Sequence, residues 1–152
     1  MSIDYIVASL PTLAFGAPAP ISWEQFAETA PASALAAALA PWKDIETQLR
    51  NALAEARGGE RFKRPAEGCS LFWRNRILAC FQEKDVAKRD ELIDRVWWDA
   101  AGELTPPTAP LGVGALATYA IRLKIALKRT RISQDAGNAA FDRLTAETKL
   151  KF

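Results

Sequence analysis

The residue types that carry most enzymatic chemistry near neutral pH are thinly represented in this chain. Histidine is absent from all 152 positions. That removes the imidazole base of a Ser-His-Asp or Cys-His pair and the commonest metal ligand. The two cysteines, Cys69 and Cys80, are eleven positions apart. On one helix they would share a face but stand about 16 Å apart along the axis, beyond the roughly 7 Å that a disulfide tolerates between Cα atoms. Without His or a Cys-x-x-Cys repeat they make a poor zinc set, and they are expected as two small apolar residues of a reduced compartment. The carboxylate pairs Asp94/Asp99 and Glu83/Asp85 fall on charged helix faces and are expected to be solvated. The Gly-rich runs at 57–60 and 111–114 match neither the P-loop nor the dinucleotide fingerprint, because no strand precedes them and no Lys-Ser/Thr follows. The expectation is a protein that is not an enzyme, with no catalytic residue, metal site or cofactor.

The elements that must position any working surface are read from periodicity. A hydrophobic fraction of 49% with 25% charged residues supports a packed core rather than disorder. The length suits a single domain over 1–152, expected to be all-α: an irregular bundle of five to seven helices. Ile3, Ile6, Val7 and Leu10 line one face of a short helix ended by Pro11, with a strand as the alternative. Residues 11–21 are Pro-, Ala- and Gly-rich and should be extended, so 1–21 reads as a short helix plus an extended segment. Ser22 and Gln25 have capping-box spacing, and Ser33 is placed to cap an alanine-rich turn through Leu39. Pro41 suits the first position of a helix over 41–57, with Ile45, Leu49, Leu53 and Ala56 on one stripe. Gly58 and Gly59 stop it. The charged stretch 59–68, with Pro65, reads as a solvated, mobile loop.

A helix over 69–84 has apolar residues around most of its wheel, which predicts the central helix of the fold. Its Arg74 either snorkels or pairs with a carboxylate. Asp85 caps a helix over 87–102 with Leu92, Ile93, Val96, Trp97 and Ala100 as the core stripe. Trp98 points the other way, among Glu91, Asp94 and Arg95, where it needs either another part of the chain or a partner to cover it. Beyond a proline loop at 103–111 a helix runs from Val113 to Arg131, burying Leu116, Tyr119, Ala120, Leu123 and Leu127. Its opposite side shows Ile121 and Ile125, edged by Arg122 and Arg129 on one flank and Lys124 and Lys128 on the other. Together with Trp98 these form the candidate partner-binding surface: apolar anchors in a basic frame. Ser133 caps a last helix over 134–149.

Charge is unevenly spread. Residues 1–42 carry three acidic side chains and no Lys or Arg, 43–104 carry twelve of each sign, and 105–152 carry eight basic and three acidic residues, for a net +2. The basic last third can meet an acidic partner. Nucleic acid is the less favoured ligand, because the basic residues of 121–131 alternate with Ile and Leu rather than with polar base-reading side chains. The nineteen uncharged residues from Tyr5 to Trp23 are broken by three prolines and preceded by Asp4, which argues against a span or a secretory signal and for a cytoplasmic location.

The opening Asp4-Tyr-Ile-Val-Ala-Ser-Leu-Pro-Thr-Leu13, followed by Pro20-Ile-Ser-Trp-Glu-Gln-Phe26, resembles the start of a bacterial family encoded among V-type (A/V-type) ATP synthase subunits. The segments Lys88–Asp99, Leu116–Lys124 and Gly137–Leu144 resemble the closing helices of that family. The resemblance implies an all-helical, non-catalytic accessory protein, or one in the place of the central-stalk component that couples the rotor shaft to the membrane ring. Its partners would be protein subunits of a rotary ATPase, and it would be peripheral to the membrane through them. The alternatives are a helical adaptor unrelated to that machine and, less favoured, a nucleic-acid-binding helical domain.

Overall fold

A computed structural model describes the backbone of residues 2–150 and the side chains of residues 2–146, and every regular element within them is helical. Seven α-helices follow one another: α1 (Ile3–Ser9), α2 (Trp23–Thr29), α3 (Ala32–Leu39), α4 (Trp42–Ala56), α5 (Leu71–Cys80), α6 (Val86–Ala101) and α7 (Val113–Leu150). Short 3-10 turns occupy Glu60–Phe62 and Gly102–Leu104. The architecture is all-α, as the periodicity predicts.

Local chemistry accounts for most of the boundaries. Ser22 and Gln25 form the reciprocal capping box, with the Gln25 amide donating to Ser22 Oγ at 3.1 Å and the Ser22 amide donating to Gln25 Oε1 at 2.8 Å. Leu10 and Ala30, each ahead of a proline, are extended and end α1 and α2, because the pyrrolidine ring disfavours helical backbone in the preceding residue. α4 ends in a Schellman motif: Gly58 takes φ +74°, its amide bonds Glu55 O at 3.1 Å, and the Gly59 amide bonds Ala54 O at 2.7 Å. Asp85 accepts from the Lys88 amide at 3.2 Å and starts α6.

Four expectations need correction. α3 starts at Ala32 behind Pro31 with no side-chain cap, so Ser33 is not its cap. The helix predicted over 69–84 is confined to Leu71–Cys80, because the Ser70 hydroxyl caps its start and Phe81 begins a turn toward the Asp85 cap. That helix buries one face only, through Trp73, Ile77 and Cys80, while Leu71 and Phe72 are exposed. Ser133 does not divide the last segment, and α7 runs through it. A serine inside a helix costs only a few tenths of a kcal/mol, and with neither proline nor another breaker at the join the hydroxyl has no reason to stop the chain.

α7 is therefore the central element. Its Leu116, Ala120 and Leu123 are fully or almost fully buried against Ile6 of α1 and Phe26 of α2. From its other side Ala117, Ile121, Ile125 and Ala126 join a larger cluster with Trp42, Leu49, Ile77 and Val96 of α4–α6. The extended 11–21 segment is tied across it by Tyr119 Oη donating to Pro11 O at 2.7 Å and by the Ala19 amide donating to Thr130 Oγ1 at 3.1 Å. The packing at the start of α7 is close enough to demand glycine. A Cβ on Gly114 would stand 2.0 Å from the Leu104 carbonyl oxygen.

The 59–68 segment is strapped to α4 by a polar row one helical turn apart. Asp44 accepts from the amides of Glu67 at 2.6 Å and Gly68 at 3.0 Å, and Gln48 accepts from the Ser70 amide at 2.8 Å. Asn51 bonds both the amide and the carbonyl of Arg64, at 2.8 and 2.7 Å. At the end of the row Glu55 pairs with Lys63 at 3.3 Å and with Arg74, whose Nε stands at 2.9 Å and whose Nη2 completes a two-point contact. The expectation of a mobile loop thus gives way to an anchored one. Of its two expected fates, Arg74 takes the carboxylate partner. The Arg74 hydrogen bond brings the Glu55 carboxyl from the ordinary 4.5 down to about 2. The Gln48 amide, with the Glu67 and Gly68 N–H groups, also lowers Asp44.

Two measurements test this packing. Gly114→Ala must push apart the α7 start and the Gly102–Leu104 turn, so it is expected to lose about 3 kcal/mol in urea denaturation, with a melting point several degrees lower. Glu55 is a depressed carboxyl, so its stabilisation is complete above pH 4.5 and is lost as pH falls through about 2. Glu55→Gln is accordingly expected to melt below the unaltered chain at pH 7, with the gap closing between pH 4.5 and 2. A gap independent of pH would refute the charge-based strap.

Candidate functional site

The predicted partner surface is largely internal. Trp98 is 6% exposed, because the extended N-terminal segment lays Phe15 edge-on against it at 5.5 Å between ring centroids. Arg122 covers it further, with the guanidinium 5.3 Å from the ring and Nε donating to the Trp98 carbonyl at 3.0 Å. That carbonyl lies in the last turn of α6, where backbone acceptors lose their helical donors, so Arg122 acts as a side-chain cap. Burial lowers the pKa of Arg122 from its ordinary value. Ile121 and Ile125, each 8% exposed, belong to the α4–α6 side of the core rather than to a free strip.

The basic frame is also partly committed. Lys128 and Arg129 converge on one carboxylate, with Lys128 Nζ 2.8 Å from Asp94 Oδ1 and Arg129 Nη1 3.2 Å from Asp94 Oδ2. Asp94 is 7% exposed, which overturns its expected place on a solvated face. Asp99 instead sits half-buried between Arg76 at 2.8 Å and Arg95 at 3.3 Å. Asp85 remains exposed as the α6 cap. Lys124 is exposed and stands 4.6 Å from the Trp23 ring centroid.

Lys124, Ile125 and Lys128 do meet, on a face the sequence does not reveal. They line a hollow of about 440 Å3 between α4, α6 and α7, whose apolar wall is Leu53, Ile93 and Trp97. Trp97 packs against the core, as its stripe predicts, and Trp98 lies inside it, against expectation. Trp98 is core, and Trp97 is half-buried with surface toward the groove. Past Arg50, Leu53 and Arg57 the hollow continues into a second of about 530 Å3, bordered by Phe62 and Arg64. Past Trp97 and Lys124 a third of about 310 Å3 reaches Trp23 and Trp42 and includes Ile121. Arg50 on α4 and Arg57 at its C-cap, one heptad apart, are the signal that sequence reading could have used, since that spacing puts both near one edge of the helix.

The second exposed feature is the far end of α7. From Asp135 through Ala146 every described side chain except that of Thr145 is exposed, and Phe141 is 69% exposed. The helix continues to Leu150, so about 24 Å of it extends past the packed body. Among the described residues no group of three or more His, Cys, Asp or Glu side chains could hold a metal ion, and no helix is long and apolar enough to cross a membrane. Cys69 is exposed and Cys80 buried, and both are free thiols. Burial raises the Cys80 thiol pKa.

Comparison of the chain with protein-family models, curated proteins and solved structures gives no match.

The Asp94 node is testable by itself. Asp94→Ala leaves two cations facing each other beside an apolar wall. The expected loss is about 2 kcal/mol, between the values for exposed and fully buried pairs, because Lys128 is about half exposed. Equilibrium unfolding in urea reads it directly, and a loss below the error of that measurement would show the node to be idle.

Proposed function

We propose that this chain is a non-catalytic component working by helix-mediated protein contact in a bacterial V-type ATP synthase, as an accessory or central-stalk-type subunit. The observation that carries the reading is the length of α7 beyond the body. Its exposed side chains bury almost no surface in the body, and most helical stability comes from packing of a face, which a partner helix lying along it would supply. A stalk is an assembly of such helices. The resemblance of the N-terminal segments to a family encoded beside rotary ATPase subunits supplies the choice of assembly.

The segments bearing that resemblance are structural parts of the body. Ile6 and Phe26 are 3% and 0% exposed, and Phe26 stacks on Tyr119 at 5.6 Å, so those motifs brace the first turns of α7. On this reading the chain is cytoplasmic, touches the membrane only through partner subunits, and contributes packing and charge complementarity to ion transport without making or breaking bonds.

The test is a tagged capture from the native cell in mild detergent, read by mass spectrometry, with the full chain and a version ending at Gln134 in parallel. Stalk and ring subunits are expected with the full chain and are expected to fall at least tenfold with the truncated one. Their absence from the full-chain sample, with the bait folded by circular dichroism, would overturn the assignment.

A further inference from the structure

We infer that the face where α4 meets α6 and α7 is a docking groove for an acidic, amphipathic segment of a partner protein. The inference does not rest on the rotary ATPase assignment or on the projecting end of α7. Its first support is uncompensated charge. Five cations, Arg50, Arg57, Arg64, Lys124 and Lys128, border the two contiguous hollows, against two carboxylates, Asp90 and Asp94. Arg50 is held by Glu46 at 2.7 Å, and Lys128 by Asp94 at 2.8 Å. Arg57, Arg64 and Lys124 are exposed, and among the described residues none of the three makes an ion pair.

Those three cations do not stand on a featureless surface. They surround a wall of Leu53, Ile93, Trp97 and Ile125, and Phe62 lies at the outer edge, 66% exposed beneath the Arg61 guanidinium. Anchors in hollows with a charged rim are the pattern of a peptide site, where the apolar insertion supplies affinity and the rim supplies selection and on-rate. A hollow of about 440 Å3 takes one or two large apolar side chains. Carboxylates placed a helical turn from such anchors would reach Arg57 and Lys124 on either side.

Nucleic acid fits the same face less well. Asn51, an amide there suited to base edges, is already bonded to the Arg64 backbone at both ends. Base-reading contacts need free polar side chains of that kind.

The experiment selects displayed random 16-residue peptides on the immobilised full chain. Enriched peptides are expected to combine Asp or Glu with Leu, Phe or Trp at helical spacing. The consensus peptide, synthesised, is expected to shift the tryptophan emission of the chain, and to do so no longer in Trp97→Phe. It should bind Arg64→Glu/Lys124→Glu at least tenfold more weakly, and should weaken as salt rises. Both altered cations are exposed, and circular dichroism verifies that the variant is folded. A Lys124→Gln single variant should lose a smaller part of the affinity in the same direction. Selection without acidic enrichment, a consensus peptide that binds the charge-reversed variant equally well, or a 20-nucleotide single strand that binds more tightly than the peptide would each overturn the inference.

Discussion

The structure depends on one helix being buried from two sides. α7 gives Leu116, Ala120 and Leu123 to the layer built by α1 and α2, and Ala117, Ile121 and Ile125 to the layer built by α4–α6. Apolar surface removed from water contributes roughly 25 cal/mol per Å2, and neither layer has another element broad enough to bury it. The requirement reaches down to single atoms. Gly114 lacks a side chain because the Leu104 carbonyl occupies its place, and Thr118, 6% exposed, satisfies its hydroxyl on Ala101 O at 2.8 Å.

Polar groups fix what hydrophobic burial leaves free to slide. The row Asp44, Gln48, Asn51 and Glu55 turns the outer edge of α4 into a set of acceptors and donors that fixes the path of a charged loop. That loop has few apolar residues to bury. Arg122 on the Trp98 carbonyl and Lys128 with Arg129 on Asp94 do the corresponding work between α6 and α7. These contacts use much of the basic character of α7 internally. Among the described residues, the cations without an ion pair include Arg57 and Arg64 near the end of α4 and Lys124 of α7, which share one face, and Arg131 and Arg143 farther along α7.

What the sequence makes legible is local. The Ser22–Gln25 box, the Gly58 stop and the Asp85 cap depend on residues a few positions apart, and each lies where its chemistry predicts. Burial on a helix face depends on what arrives from elsewhere. Trp98 stands among charged neighbours and still becomes core, because Phe15 comes from the N-terminal segment and Arg122 from α7. Ile121 and Ile125 read as a second surface because a helix buried on two sides has two apolar stripes, and periodicity does not distinguish that from a stripe awaiting a partner. Asp94 reads as solvated for the same reason, since its two cations lie on α7. The α4–α6–α7 groove draws on three elements, so only the heptad spacing of Arg50 and Arg57 is visible in advance.

The junction of the two parts of α7 has a mechanical meaning. A sideways load on the projecting part acts on a lever about 24 Å long, and the bending moment is greatest near Thr130. There the helix is tied by the Ala19–Thr130 hydrogen bond, beside a hollow of about 370 Å3 that Phe15–Pro18 share with Arg129 and Ser133. Because the same rod continues into both core layers, the moment is shared between them instead of peeling one helix from the surface. Thrust along the axis travels down an unbroken ladder of backbone hydrogen bonds to the start of α7, where Gly114 lies against the Gly102–Leu104 turn.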